Sequence, residues 1–373
     1  MWGIVGHERA IQTLQGGIAT GRLAHAYLFV GPPQIGKTTL ALALARALNC
    51  LAPDPPCGDH TRDLTLGPDL VAGREECNSC ARIRRGTHPD IWFIAPAEDV
   101  ACHAPGQVGA VEGRRHIRQD LISIDDIRAM QRGVALAPLE GRYKVVIIAG
   151  AEHMTTEAAN ALLKTLEEPP DHVILALTTT DVGLLLPTIV SRCQVVPLAR
   201  PTRSQVEAAL RERWGAEPAQ AHLLAALSGG RLGWAVTALQ DPAIMAGRQE
   251  SLKLLAQALG GGPAQRLAMA GELAQDFAQR RAEVTTMLQV WLGWARDLWL
   301  TSLGCPERIV NIDQQANLKD QAGLVGIEAA HSLIQSLRDT LRQLDQNVNP
   351  RLALEVLLLN MPYVKRQASN VIS

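Results

Sequence analysis

The chain has 373 residues, of which 47% are hydrophobic and 20% charged, and its formal net charge is −1. That length accommodates two or three domains, and the balance is ordinary for a globular protein. A near-neutral chain does not meet nucleic acid through broad basic charge, so any contact with a phosphate backbone must be local. No apolar run reaches the roughly 18–20 residues of a membrane span. The N-terminal MWGIVGHERA lacks the basic start and apolar centre of a signal peptide. The expected location is therefore the cytoplasm, with no membrane partner. Thiols stay reduced there, so the seven cysteines are expected to be metal ligands or core residues rather than disulfides.

In chain order, residues 7–20 are a predicted helix with Ile11, Leu14 and Ile18 on one face. His25–Val30 is a predicted strand running into Gly31-Pro32-Pro33-Gln34-Ile35-Gly36-Lys37-Thr38. This matches G-x-x-x-x-G-K-[ST] with a strand before it and the helical TTLALALARALN, opened by Thr38 and Thr39, after it. Glycines at 31 and 36 let backbone wrap a phosphate, and helix N-terminal N–H groups stabilise its charge. Lys37 would reach the β- and γ-phosphates and Thr38 would ligate Mg²⁺. A chance Gly-Pro turn, or a relic loop that binds no nucleotide, is the plainer alternative.

Cys50 ends that helix, Cys57 follows in PPCG, and Cys77 and Cys80 form a C-x-x-C. Four thiolates within 31 residues fit a closed, tetrahedral, four-cysteine zinc module at about 50–80, hence a structural one. Four unrelated cysteines is the alternative, and nothing favours His60, Cys102 or His103 as a substitute ligand.

GTHPD (Gly86–Asp90) leads into a predicted strand at Ile91–Pro96. Arg114, Arg115, His116 and Arg118 form a basic cluster in the 97–118 stretch, expected to be a solvated loop, with a DNA-backbone contact as the alternative. Ser123 or Asp125 is suited to cap a helix running to about Ala135. Predicted strands at Val145–Ile148 and Val173–Leu177 then flank a helix from about Thr156 to Glu168. Ser191-Arg192-Cys193 and a short strand near Val195–Val196 follow. A hydrolysing P-loop enzyme would want Asp-Glu just after the first of these strands, where this chain has Ala149-Gly150. Glu152 is the first acid beyond, a displaced base at most. Strands alternating with helices predict a parallel sheet covered on both faces, with ligand at the C-terminal strand ends.

Beyond Pro197 strand signals stop. Two short helices are expected around Ser228-Gly229-Gly230-Arg231, then long Ala/Leu/Gln-rich amphipathic helices over 243–301 and 325–362. Trp291, Trp294 and Leu298 make a helical stripe, with Trp299 at its edge, expected to pack in a core or an interface.

Several of these segments together resemble the delta-prime subunits of the bacterial DNA polymerase III clamp loader, an AAA+ family. They are HAYLFVGPPQIGKT, the four cysteines with GTHPD, ANALLKTLEEPP (Ala159–Pro170), LLPTIVSRC (Leu185–Cys193) and NVNPRLALEVLLL. The resemblance implies an AAA+ P-loop α/β domain over 1–199 with the inserted zinc module, a small helical lid over 200–242 and an all-α collar over 243–373. It implies a heteropentameric ring with gamma/tau and delta subunits, a sliding clamp and primer-template DNA as partners, and a role in replication. Arg192 would be an arginine finger reaching a neighbouring subunit's ATP. Gly31, Gly36, Lys37, Thr38 and Thr39 would hold ATP and Mg²⁺ where nucleotide binds. Thr179 would sense the γ-phosphate, though Thr178 and Thr180 are equal to it chemically, and Arg231 resembles the lid arginine that touches nucleotide. The gamma/tau motor subunits share the loop, the zinc module and SRC but carry Asp-Glu where this chain has Ala149-Gly150. Weak or absent hydrolysis is therefore expected, with a gamma/tau-type motor and a stand-alone zinc-containing P-loop protein as the competing readings.

Overall fold

Strands that are apolar at nearly every position have no face to give to water, and here they make the buried middle of a sheet. The computed structural model describes residues 2, 4–52, 77–96, 121–346 and 348–363. Its strands are β1 Ala26–Val30, β2 Ile91–Ile94, β3 Lys144–Ile148, β4 Val173–Thr179 and β5 Gln194–Pro197. All pair in parallel, in the order β2-β3-β4-β1-β5. Every residue of β3 and β4 is buried, the pattern of a parallel sheet covered on both sides. Val145 and Ile147, Ile174 and Ala176, and Phe29 enter the core on one face. Val146 and Ile148, Leu175 and Leu177, and Leu28 enter the core on the other. The two-residue period of a strand thus divides one apolar run between two cores.

Helices α1 (Glu8–Thr20) and α2 (Lys37–Asn49) cover the first face through Leu14, Leu40 and Leu44. After α3 (Asn78–Arg84), α4 (Ile124–Val134) and α5 (Thr156–Glu167) cover the second through Ile127, Met130, Leu162 and Leu166. Ser123 caps α4, and Asp126 returns the bond to the Ser123 N–H at 3.0 Å, so the cap is Ser123 and not Asp125. β2 stops at Ile94, short of the expected Pro96, while β4 runs past Leu177 because Thr178 and Thr179 pair with Phe29 and Val30. α6 (Pro187–Val190) and α7 (Arg203–Trp214) lie on either side of β5 in sequence.

The chain divides into two compact units, Met1–Ala216 with Gly230–Val236, and Glu217–Gly229 with Thr237–Ser373. The second is helical. It holds α8 (Pro218–Ser228), the end of α9 (Leu232–Gln240), α10 (Pro242–Gly260), α11 (Pro263–Gln279), α12 (Arg281–Ser302), α13 (Gln315–Val325), α14 (Ile327–Asp345) and α15 (Pro350–Leu359). Within the helical stretch expected over 243–301 the helices part at Gly260-Gly261-Gly262-Pro263, where Pro263 opens a new helix, and again at Arg280. Trp291, Trp294 and Leu298 are core residues, packed with Leu255, Leu337 and Leu357. The Trp291 indole N–H donates to the Ser251 carbonyl at 2.7 Å, so its one polar group is satisfied. Among the described residues no helix is long and apolar enough to cross a membrane.

Candidate nucleotide loop, arginine turn and cysteine cluster

β1 lies between β4 and β5, so the loop that leaves it emerges where the sheet's order turns back on the chain. The loop is stitched to both neighbours: the Gly31 N–H donates to the Thr179 carbonyl at 3.1 Å, and the Leu198 N–H to the Val30 carbonyl at 2.8 Å. A side chain at Gly31 would come within 2.6 Å of Ile35 Cδ1 and 2.8 Å of the Leu198 carbonyl, so only glycine fits. Gly36 adopts φ 104 and caps α2 with no side-chain bond. A glycine cap offers no side chain of its own to the first turn of that helix, which Lys37, Thr38 and Thr39 open. The Lys37 ammonium donates back to the Gly31 and Pro32 carbonyls at 2.6 and 2.8 Å.

The adjoining strand ends carry no acid pair. Ala149 is buried, and its N–H donates to the Ile94 carbonyl at 2.8 Å. Gly150 lies in the left-handed region at φ 67 and its N–H donates to the Thr178 hydroxyl at 3.0 Å. A glutamate placed at 150 would meet that backbone at a cost of about 1–2 kcal/mol. The Glu152 carboxylate accepts from the N–H and hydroxyl of Thr180, at 3.0 and 2.8 Å. Burial works to raise its pKa, but these bonds outweigh that and hold it below the usual carboxylate range. The Thr179 side chain is fully buried, and its hydroxyl donates to the Asp181 carbonyl at 3.0 Å. Each of the three threonine hydroxyls is thus engaged within the chain. Arg231, of the 230–236 segment that belongs to this unit, lies over the Trp234 ring at 5.7 Å. Burial, with Arg200 nearby, lowers its pKa.

Arg192 follows α6 on a turn and is about one-third exposed. Its guanidinium donates to the Thr188 carbonyl at 3.0 Å and pairs with Glu167, the last residue of α5, at 2.7 Å. Beside it, burial pushes the Cys193 thiol up to about 11, so this sulfur is a neutral, packed group rather than a nucleophile.

Cys50, Cys77 and Cys80 bring their sulfurs within 4.8 Å of one another. Cys50 and Cys77 sulfurs are 3.9 Å apart, and the Cys77 sulfur accepts from the Cys80 N–H at 3.5 Å at the start of α3. Tetrahedral zinc with bonds of about 2.3 Å needs sulfurs roughly 3.8 Å apart, so the three thiols fit a metal. Cys57, the expected fourth ligand, lies outside the described residues, as do His60, Cys102, His103 and the Arg114–Arg118 cluster.

The cysteine cluster is supported by residues whose spacing gives no warning of it. Asn49, beside Cys50, both donates to and accepts from the Tyr143 backbone at 3.0 Å. Asp90 of GTHPD accepts from the N–H groups of Leu139, Glu140 and Gly141 at 2.7–2.8 Å. Burial would raise the Asp90 pKa, but these donors, with His88 adding to them, bring it below its ordinary value. Its stabilising contribution is then full above the unfolded-state pKa near 4 and is lost as pH falls through the lower folded value. Asp90→Asn is expected to cost about 2–4 kcal/mol at pH 7, by loss of charge-assisted bonds. Urea unfolding of variant and parent should show that gap narrowing as the pH falls below about 4 and through the lower folded value.

With this geometry in hand, the relatives are informative. Residues 6–202 match the family model described as DNA polymerase III, delta subunit, and residues 242–362 match that of its C-terminal part. The chain belongs to this DNA polymerase III clamp-loader family. The delta-prime subunit of Bacillus subtilis is 28% identical over 358 residues, covering 94% of both chains. The tau subunit of Escherichia coli is 34% identical over 249 residues, 65% of this chain and 33% of its own. The chain thus spans about a third of the length of that tau subunit. Among solved structures, a gamma subunit-related protein of Thermotoga maritima aligns over 93% of this chain and 97% of its own at 18% identity, with a TM-score of 0.40.

Proposed function

We propose that this chain is the delta-prime-type member of a clamp loader: a ring subunit that helps place a sliding clamp on primed DNA and hydrolyses little or no ATP itself. The observation that carries this reading is the pairing of an acid-free, left-handed Gly150 turn with a partly exposed Arg192 in the same α/β unit. Without the aspartate, Mg²⁺ loses an anchor; without the glutamate, no base orients the attacking water. Arg192 keeps the planar cation that stabilises charge on a transferring phosphate, and in a ring that phosphate belongs to the neighbour. The near-full mutual coverage with a delta-prime relative supports the same assignment.

In this reading residues 1–199 are the AAA+ domain, 200–242 the lid and 243–373 the collar that joins gamma/tau and delta subunits in a heteropentamer. Cys50, Cys57, Cys77 and Cys80 hold a structural zinc. Gly31, Gly36, Lys37, Thr38 and Thr39 hold ATP with Mg²⁺, while Thr179 and Arg231 respond to it. Duplex DNA is met along its backbone by helix N-termini rather than base edges.

The intact Gly-Lys-Thr loop and the 34% identity to a tau subunit favour a second reading, a gamma/tau-type motor. Nucleotide binding and hydrolysis by the isolated chain, measured separately, decide between them. Binding with ATP turnover at least ~100-fold below that of a motor subunit is expected, since loss of a positioned base alone contributes factors of about 10²–10⁴. Turnover matching a motor subunit would establish the second reading.

A further inference from the structure

We propose that His7 is a positioning residue for the nucleotide loop, holding Gln34-Ile35-Gly36 in its phosphate-receiving shape. This rests on the reading of that loop as a nucleotide holder. Among the described residues only two non-glycine residues have positive φ, His7 at 64 and Gln34 at 61. They stand 27 positions apart in sequence, yet the His7 Nε2 lies 2.8 Å from the carbonyl of Ile35, the residue next to Gln34. A carbonyl only accepts, so Nε2 carries the proton and His7 is the donor.

Left-handed backbone tolerates histidine, as it does asparagine and aspartate, but gives its ring no partner. His7 sits at the N-cap of α1 but makes no capping bond. Serine, threonine or aspartate caps better, and asparagine or glycine suits left-handed backbone better. The buried ring, with its Nδ1 bonded to no described residue, is accounted for by its reach to Ile35. Strain of this kind gathers where surrounding structure over-determines a working conformation.

The loop's other carbonyls show what the reach achieves. Gly31 and Pro32 accept from Lys37, Gln34 accepts from the Gly233 N–H at 2.9 Å, and Gly36 accepts from the Leu40 N–H at 2.9 Å. Ile35 accepts from His7. Each of these carbonyls is turned to a donor of the protein, which leaves the N-terminal end of α2 as the face for an anion. His7 and Gly233 hold consecutive carbonyls of the strained turn from two different segments.

The test is titration of the full chain with a fluorescent ADP analogue and Mg²⁺. His7→Leu keeps bulk and backbone strain but removes the donor; His7→Gln keeps an N–H of similar reach. The dissociation constant should rise about tenfold for His7→Leu and stay within about threefold for His7→Gln, with the two ligand-free melting temperatures alike. His7→Asn tolerates left-handed backbone but is too short to reach Ile35, and should reproduce the loss. Unchanged binding by both the Leu and Asn variants, or equal weakening by Leu and Gln, overturns the role of His7. No binding by the parent chain, or binding indifferent to Lys37→Ala, overturns the nucleotide reading of the loop itself.

Discussion

Arg192→Ala, in a ring rebuilt with the gamma/tau and delta partners, is expected to leave assembly intact and to slow DNA-stimulated ATP turnover. At the single site this chain would complete, the expected loss is ~10³-fold or more, the range of arginine fingers generally. Summed over the ring the loss is only that site's share if sites fire independently, and much larger if they fire in sequence. Glu167 refines the test. Its pair with Arg192 is open to solvent in part on both sides, so it contributes little to stability, about 0–1 kcal/mol. Its effect is on direction: with the Thr188 carbonyl it occupies part of the guanidinium and fixes how the rest is presented. Glu167→Gln should therefore reduce turnover severalfold in the parent ring and do nothing further once Arg192 is alanine. Additive losses would show that Glu167 acts elsewhere, and undiminished turnover with Arg192→Ala would remove the finger.

Cys80→Ser is expected to lose bound zinc and to lower the melting temperature of the first unit by roughly 5–10 °C, given ~2–4 °C per kcal/mol for a domain of this size. Freshly purified parent protein should carry about one zinc per chain by elemental analysis, and the variant much less. Isolated zinc modules depend on metal for ~10–16 kcal/mol of folding energy. The loss here should be far smaller, because the frame has its own bonds. Asn49 anchors the end of α2, and Asp90 gathers three N–H groups of the loop before β3. Arg82 of α3 reaches Glu140 on that loop at 2.7 Å. Parent protein free of zinc would end the metal assignment, leaving three thiols packed as core.

What is legible in the chain is whatever local periodicity encodes. Continuous apolar runs place the strands of the described residues to within about two positions, and the glycine loop is visible because strand, loop and helix are contiguous. Arg192 is visible as part of a contiguous segment on an exposed turn. The features that escape such reading share the opposite character. The partners Asn49 and Tyr143 are 94 residues apart, and Asp90 is 51 from Gly141, so no short window of sequence contains both ends. His7 and Ile35 meet only after α1 and β1 have packed.

The turn at Gly150 carries an implication for descent. A subunit that had merely exchanged its acids for neutral residues could regain them by two point changes. Here the N–H of Gly150 is bonded to Thr178, one oxygen of the Glu152 carboxylate is bonded to Thr180, and the backbone at Gly150 has a hand that side chains resist. On the proposed reading, Ala149→Asp with Gly150→Glu would restore the letters of a motor on a backbone that resists a side chain at 150. On that reading the bonds across those two strand ends act as a ratchet, each adding to the simultaneous changes needed to return.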